Sequence, residues 1–138
     1  MTKAIIYTNE SGGVSLCIPT GEIPIEQVVS KDVPAVPSFI VEMASLPMGD
    51  NDFFNAWEQT NGVVTVNLTK AKEITKRRLR AEREPLLAAQ DVLFQRALET
   101  GADTAPIVAE KQRLRDVPTL ADACTDLNQL RALKAAKE

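Results

Sequence analysis

The chain contains no histidine. That removes the commonest general base, the commonest metal ligand and the usual partner of a serine or cysteine nucleophile. Cysteine is scarce: Cys17 and Cys124 stand far apart. Such a pair fits neither a zinc pattern nor a disulfide framework, and it predicts two buried, reduced thiols. No apolar run approaches the roughly 18 residues that cross a membrane, and the run in "MTKAIIYTNESGG" is too short for a signal peptide. A soluble protein from a reducing compartment is therefore expected. Aromatic residues are few, and only Phe94 follows Trp57, so the tightest core is expected in the first half. Strong positive charge is also missing. The net charge of -3 argues against a dedicated nucleic-acid binder, whose domains are usually basic.

What is present is an ordinary globular composition, 44% hydrophobic and 25% charged over 138 residues. That suffices for one domain, or for two small units that share contacts. The first half reads as strands and turns. "KAIIYT" (3–8) and "VSLCI" (14–18) suit a pleated surface, with Gly12 and Gly13 supplying positive φ for the loop between them. Alternation places Val14, Leu16 and Ile18 on one face. "PIEQVVSK" predicts a short helix that Asp32-Val33-Pro34 ends, and "SFIVEM" (38–43) a third strand. "GDNDFFNAWEQT" (49–60) predicts a helix capped by Asp50 or Asn51, with Phe53, Phe54 and Trp57 along one side. Asn61-Gly62 is a turn, and "VVTVNL" (63–68) a fourth strand.

From Thr69, a candidate cap, the pattern turns helical and runs to Gly101, a natural stop. Pro85 removes a hydrogen bond to Ala81, which predicts a kink, or a break with a second helix starting there. Leu79, Leu86, Leu93 and Ala97 form the apolar stripe. Asp103 or Thr104 caps a further helix carrying Ile107, Lys111, Leu114 and Val117 on one side. The short "GAD" connection predicts an antiparallel hairpin. Pro118 ends that arm. A last helix capped at Thr125 turns Leu127, Leu130 and Leu133 inward, before a frayed charged tail.

The densest chemistry is "TKAKEITKRRLRAEREPLLAAQ" (69–90), whose first fifteen positions hold seven cations. On a helix these advance about 100° per residue and wrap much of the cylinder. Glu73 reaches Arg77 and Arg78 reaches Glu82 at i+4, and no aromatic stands among them to stack on a base. The segment reads as a solvated helix, or as a surface that meets an acidic protein partner. Contact with nucleic acid through residues 70–83 is the competing reading. Asp50, Asn51 and Asp52 lack the rest of a calcium loop. No catalytic, cofactor-binding or metal-binding residue is assigned, and the expectation is a protein that is not an enzyme. Because two adjacent phenylalanines cannot both face inward on one helix, Phe53 or Phe54 is a candidate exposed anchor.

The succession "IIYTNESGGVSLCIPTGEIPIEQV", "DVPAVPSFIV", "FFNAWE" and "KAKEITKRRLRAEREPLLAAQDVLFQRALETG…KQRLRDVP" resembles small structural proteins encoded by tailed bacteriophages. Its later part, with an R-x-x-R-x-PLL-x-x-x-D core and a closing "LRDVP", is similar to helical-hairpin segments of tail-fibre assembly and tail-associated proteins. The resemblance covers most of the chain and brings no catalytic residues. It implies a virion protein of tail, neck or head, found in the host cytoplasm during assembly, that docks to other phage structural proteins as a homo-oligomer, ring or trimer. An assembly chaperone that leaves the particle is the alternative. In that light Arg77, Arg78, Arg80 and Arg83 would meet a neighbour's carboxylates, and Phe53 or Phe54 would supply the apolar part.

The expected architecture is α+β. A small antiparallel sheet with short helices occupies 1–68, and a helical region, a long Pro-kinked helix with an antiparallel hairpin, occupies 69–138.

Overall fold

A computed structural model of the chain describes residues 3–19, 21, 24–32 and 34–137; Val33, part of the expected helix stop, lies outside them. The protein is α+β. It forms two compact units, Met1–Ala71 and Lys72–Glu138, each with its own apolar core.

In the first unit β1 (Lys3–Thr8) is the central strand, flanked by β2 (Val14–Cys17) and, after α1 (Ile25–Asp32), by β3 (Ser38–Glu42), both antiparallel. Its central position explains why Ala4, Ile5 and Ile6 are all fully buried. The β1–β2 loop is held by Asn9, whose Oδ1 accepts from the backbone N–H groups of Ser11 and Gly13. Only Gly12, at φ +86°, takes the left-handed conformation there, so the expectation for Gly13 is corrected. Ile18 is exposed, because β2 stops at Cys17, just ahead of Pro19, and the alternation does not reach it.

The helix expected over 49–60 is replaced by a 3₁₀ segment, Met48–Ala56, whose cap is Pro47 without a side-chain bond. Trp57 opens a strand instead, β4 (Trp57–Thr60), which pairs with β5 (Val63–Val66) from Thr60↔Val63 to Trp57↔Val66. The reason lies in the turn. Asn61 and Gly62 both adopt positive φ, the type I′ geometry that joins two strands through a two-residue loop. That turn demands a strand on each side, and it overrides the helical spacing of Phe53, Phe54 and Trp57. The fully buried Trp57 then joins Ile6, Val14 and Leu46 in the core.

α2 (Leu68–Thr100) begins within the first unit. Its cap is Asn67 rather than Thr69: Asn67 Oδ1 accepts from Lys70 N–H at 3.0 Å. The helix runs unbroken through Pro85, so no second helix starts there. Gly101, at φ +73°, follows its end. α3 (Ala105–Asp116) comes next, with Asp103 accepting from Ala105 N–H. The two helices lie antiparallel: Asp91 pairs with Lys111 at 2.7 Å, and Arg83, earlier in α2, reaches Leu114 and Arg115, later in α3. Leu93 is exposed, unlike the buried Leu79 and Ala97 of the predicted stripe. After a 3₁₀ segment at Val117–Ala123, α4 (Leu127–Ala132) is capped by Asp126, not Thr125, through Gln129 N–H at 2.8 Å. The expected fraying is absent from the residues that follow: Ala135 is 0% exposed, in the core with Leu79, Leu114 and Val117.

Candidate functional site

The cations between residues 70 and 83 of α2 divide into two groups. Lys70 pairs with Glu58 at 2.9 Å. Within the second unit Lys72 donates to the Asp122 carbonyl, Arg78 to the Leu130 carbonyl at 3.1 Å, and Arg83 to the Leu114 and Arg115 carbonyls. These acceptors lie in the last turns of the 3₁₀ segment, of α4 and of α3. Helix ends leave such carbonyls without intrahelical donors, and a cation there also meets the favourable end of the helix dipole. One face of α2 therefore caps three shorter helical elements of its own unit. Lys76 adds an ion pair with Asp122 at 2.6 Å, which raises the Lys76 pKa. Arg78 also binds Glu82 at 2.6 Å.

Arg77 and Arg80 form the second group. Both are exposed, and neither has a hydrogen-bond or ion-pair partner among the described residues. Further along, Ala81, Pro85, Ala88, Ala89, Val92 and Leu93 are all exposed, Val92 at 50% and Leu93 at 44%. Their spacing of three and four residues puts them on one side of the helix, an apolar strip with Arg77 and Arg80 near its start.

Of the residues expected to meet a partner, Arg77 and Arg80 thus lie free, whereas Arg78 and Arg83 are committed to internal bonds. Phe53 and Phe54 belong to the first unit, and the expectation of an exposed phenylalanine is corrected. Phe53 is 5% exposed. Phe54 is half-buried against the core, its ring centroid 4.8 Å from that of Trp57. The backbone leaves the helical region at Phe53, φ -108°, so the two side chains are not constrained as neighbours on a helix and both turn inward.

The residues that sequence reasoning missed are the two glutamates that hold segment 133–137. Glu82 Oε1 accepts from Ala135 N–H at 3.1 Å, Glu110 binds Arg113 and Lys137, and Arg113 Nη2 donates to the Ala135 carbonyl at 2.9 Å. Burial pushes both carboxyls up, but the Ala135 N–H and Arg78 on Glu82, and Arg113 and Lys137 on Glu110, outweigh it. Both end below the usual 4.5. A depressed carboxylate contributes stability that is present above the unfolded value and lost as pH falls through the folded one. The helical melting temperature, followed by circular dichroism, is expected to hold from neutrality to about pH 4.5 and to fall below it. A value unchanged down to about pH 2 would contradict these contacts.

Both cysteines are free, Cys124 buried and Cys17 only half-buried. Among the described residues no cluster of three or more cysteines, aspartates and glutamates is placed to hold a metal ion, and no helix is long and apolar enough to cross a membrane. Comparison of the chain with protein-family models, with curated proteins and with solved structures finds no match.

Proposed function

We propose that this chain is a non-enzymatic structural protein of a tailed-bacteriophage particle, attached at the tail, neck or head and working by docking to other particle proteins. The sequence resemblance supplies the setting. The observation that carries the docking role is the exposed face of α2, where an apolar strip of Ala81, Pro85, Ala88, Ala89, Val92 and Leu93 adjoins the unpaired Arg77 and Arg80. Such a face suits a neighbour with an apolar centre and carboxylates at its edge, since desolvated contacts give affinity and guanidinium–carboxylate pairs fix register.

Mass spectrometry of purified particles tests the reading. Recovery in fixed stoichiometry with the other structural proteins is expected. Absence from particles, with the chain present in the infected-cell lysate, would replace it with a transient assembly factor.

The internal engagement of Lys70, Lys72, Lys76, Arg78 and Arg83 weighs against a nucleic-acid grip. Arg77 and Arg80 alone would neutralise about two phosphates, which gives weak and salt-sensitive binding. No duplex DNA binding is expected at about 150 mM salt. Binding that persists there, and is lost in Arg77→Glu/Arg80→Glu, would favour the DNA reading instead.

A further inference from the structure

The middle of α2 and residues 131–136 enclose a cavity of about 460 Å³, walled by Arg78, Glu82 and Leu86 on one side and by Arg131, Leu133, Lys134 and Ala136 on the other. That volume falls in the range of about 300–1,000 Å³ that ligand sites occupy. A second cavity, of about 250 Å³, shares the walls Leu86 and Ala136, so the two adjoin as one trough that follows α2 as far as Gln90. Glu110, Arg113 and Lys137 stand at that end. Over the described walls five cations oppose two carboxylates, a local excess of three positive charges. The chain as a whole has a net charge of -3. Arg78 is held by Glu82 Oε2 at 2.6 Å and by the Leu130 carbonyl at 3.1 Å. Those bonds use two of the five N–H donors of a guanidinium, so the group is fixed in its wall and keeps donors for a ligand. Leu86 and Leu133 are only half-buried and supply apolar surface beside the charges.

We infer that this trough grips an acidic segment of the neighbouring protein, seating a carboxylate among Arg78, Arg131 and Lys134 and an apolar side chain on Leu86 and Leu133. Complementary charge chooses the occupant: the positive excess draws carboxylates, and a fixed guanidinium orients them. Residues 78–90 of α2 extend about 18 Å at 1.5 Å per residue. About five residues of extended chain, at roughly 3.3 Å each, match that length. A row of phosphates suits the trough less well. It would meet Glu82 and Glu110, and none of the described walls is an aromatic residue on which a base stacks. Ala89 is a wall of the smaller cavity and also part of the exposed apolar strip, so one neighbour covers both. The inference rests on the docking reading for its setting and names what the docked protein must carry. Peptide binding is measured on the purified chain and particle recovery on virions, so either can fail alone.

The test is the fluorescence anisotropy of rhodamine-labelled hexapeptides titrated with the full-length chain at about 50 mM salt, where screening is weak. A peptide alternating glutamate and leucine is expected to bind saturably. One with glutamine in place of glutamate should bind several-fold more weakly, and one with lysine not at all. Arg131→Glu/Lys134→Glu is expected to weaken the glutamate–leucine peptide about tenfold, the size of one lost charged contact. Arg96→Glu/Arg115→Glu changes the net charge equally, at exposed positions outside the trough, and is expected to leave the affinity within about twofold. Arg131→Gln/Lys134→Gln, which removes the charges and keeps polar side chains, serves if the first variant fails to fold by circular dichroism. No saturable binding at millimolar concentration would show that the trough takes no acidic segment. Binding unchanged by the trough variants, or weakened as much by Arg96→Glu/Arg115→Glu, would place it on another surface or on overall charge. Tighter binding of a labelled hexathymidylate, lost in the same trough variant, would make the trough a nucleic-acid site. Each of these results overturns the inference.

Discussion

Replacement of Arg83 by alanine is expected to lower unfolding stability by about 1.5–3 kcal/mol, the range for hydrogen bonds to charged groups. Its guanidinium is the donor to two carbonyls in the last turn of α3, Leu114 and Arg115. Arg83→Met separates capping from packing: it keeps an apolar stem and removes the donors. If capping dominates, Met should recover little of the loss. Chemical denaturation followed at 222 nm gives the answer. A loss under about 0.5 kcal/mol, the size of an ordinary surface substitution, would return Arg83 to the set of residues free for a partner.

Pro85→Ala is expected to act in the opposite direction. A proline inside a helix removes one hydrogen bond and crowds the carbonyl four residues back, at a cost of about 3 kcal/mol. Pro85 stands on the exposed face of α2, so alanine sacrifices no core contact, and a gain approaching that figure should appear in the same denaturation measurement. If the proline shapes the docking strip, the stabilised variant should still fold, yet enter particles less well. A variant that is both no more stable and equally well incorporated would leave Pro85 with neither effect.

The turns were legible in the sequence, because glycine and asparagine at fixed positions declare themselves without tertiary information. Gly12, Asn61-Gly62 and Gly101 all stand where the chain reverses or stops. Part of the division of the cations was legible too, although counting charges around the cylinder obscures it. Lys72, Lys76, Leu79, Arg83, Leu86 and Gln90 recur at alternating spacings of four and three, which places the first two lysines and Arg83 on the same stripe as the core leucines. Arg77 and Arg80 fall off that stripe and are left exposed, but Lys70 and Arg78 fall off it as well and are held by Glu58 and the Leu130 carbonyl. What they bind was not legible, since the carbonyls of Asp122, Leu114 and Arg115 lie some thirty to fifty residues away. The strand at Trp57 was missed for a related reason: a helical spacing of three aromatics is a local preference, and the hairpin turn after it imposed a longer-range pairing. The segment 133–137 misled in the same way. Alanine and lysine suggest a helix end open to water, but Glu82 and Arg113, far off in sequence, take its backbone groups.

The distribution of chromophores has a practical result. Trp57 and Tyr7 are the sole tryptophan and tyrosine, and both lie in Met1–Ala71, whereas Lys72–Glu138 holds Phe94 as its one aromatic ring. Intrinsic emission therefore reports the sheet-bearing half and is blind to the helical one, while ellipticity is dominated by the long helix. Two instruments on one unlabelled sample can watch the halves melt separately.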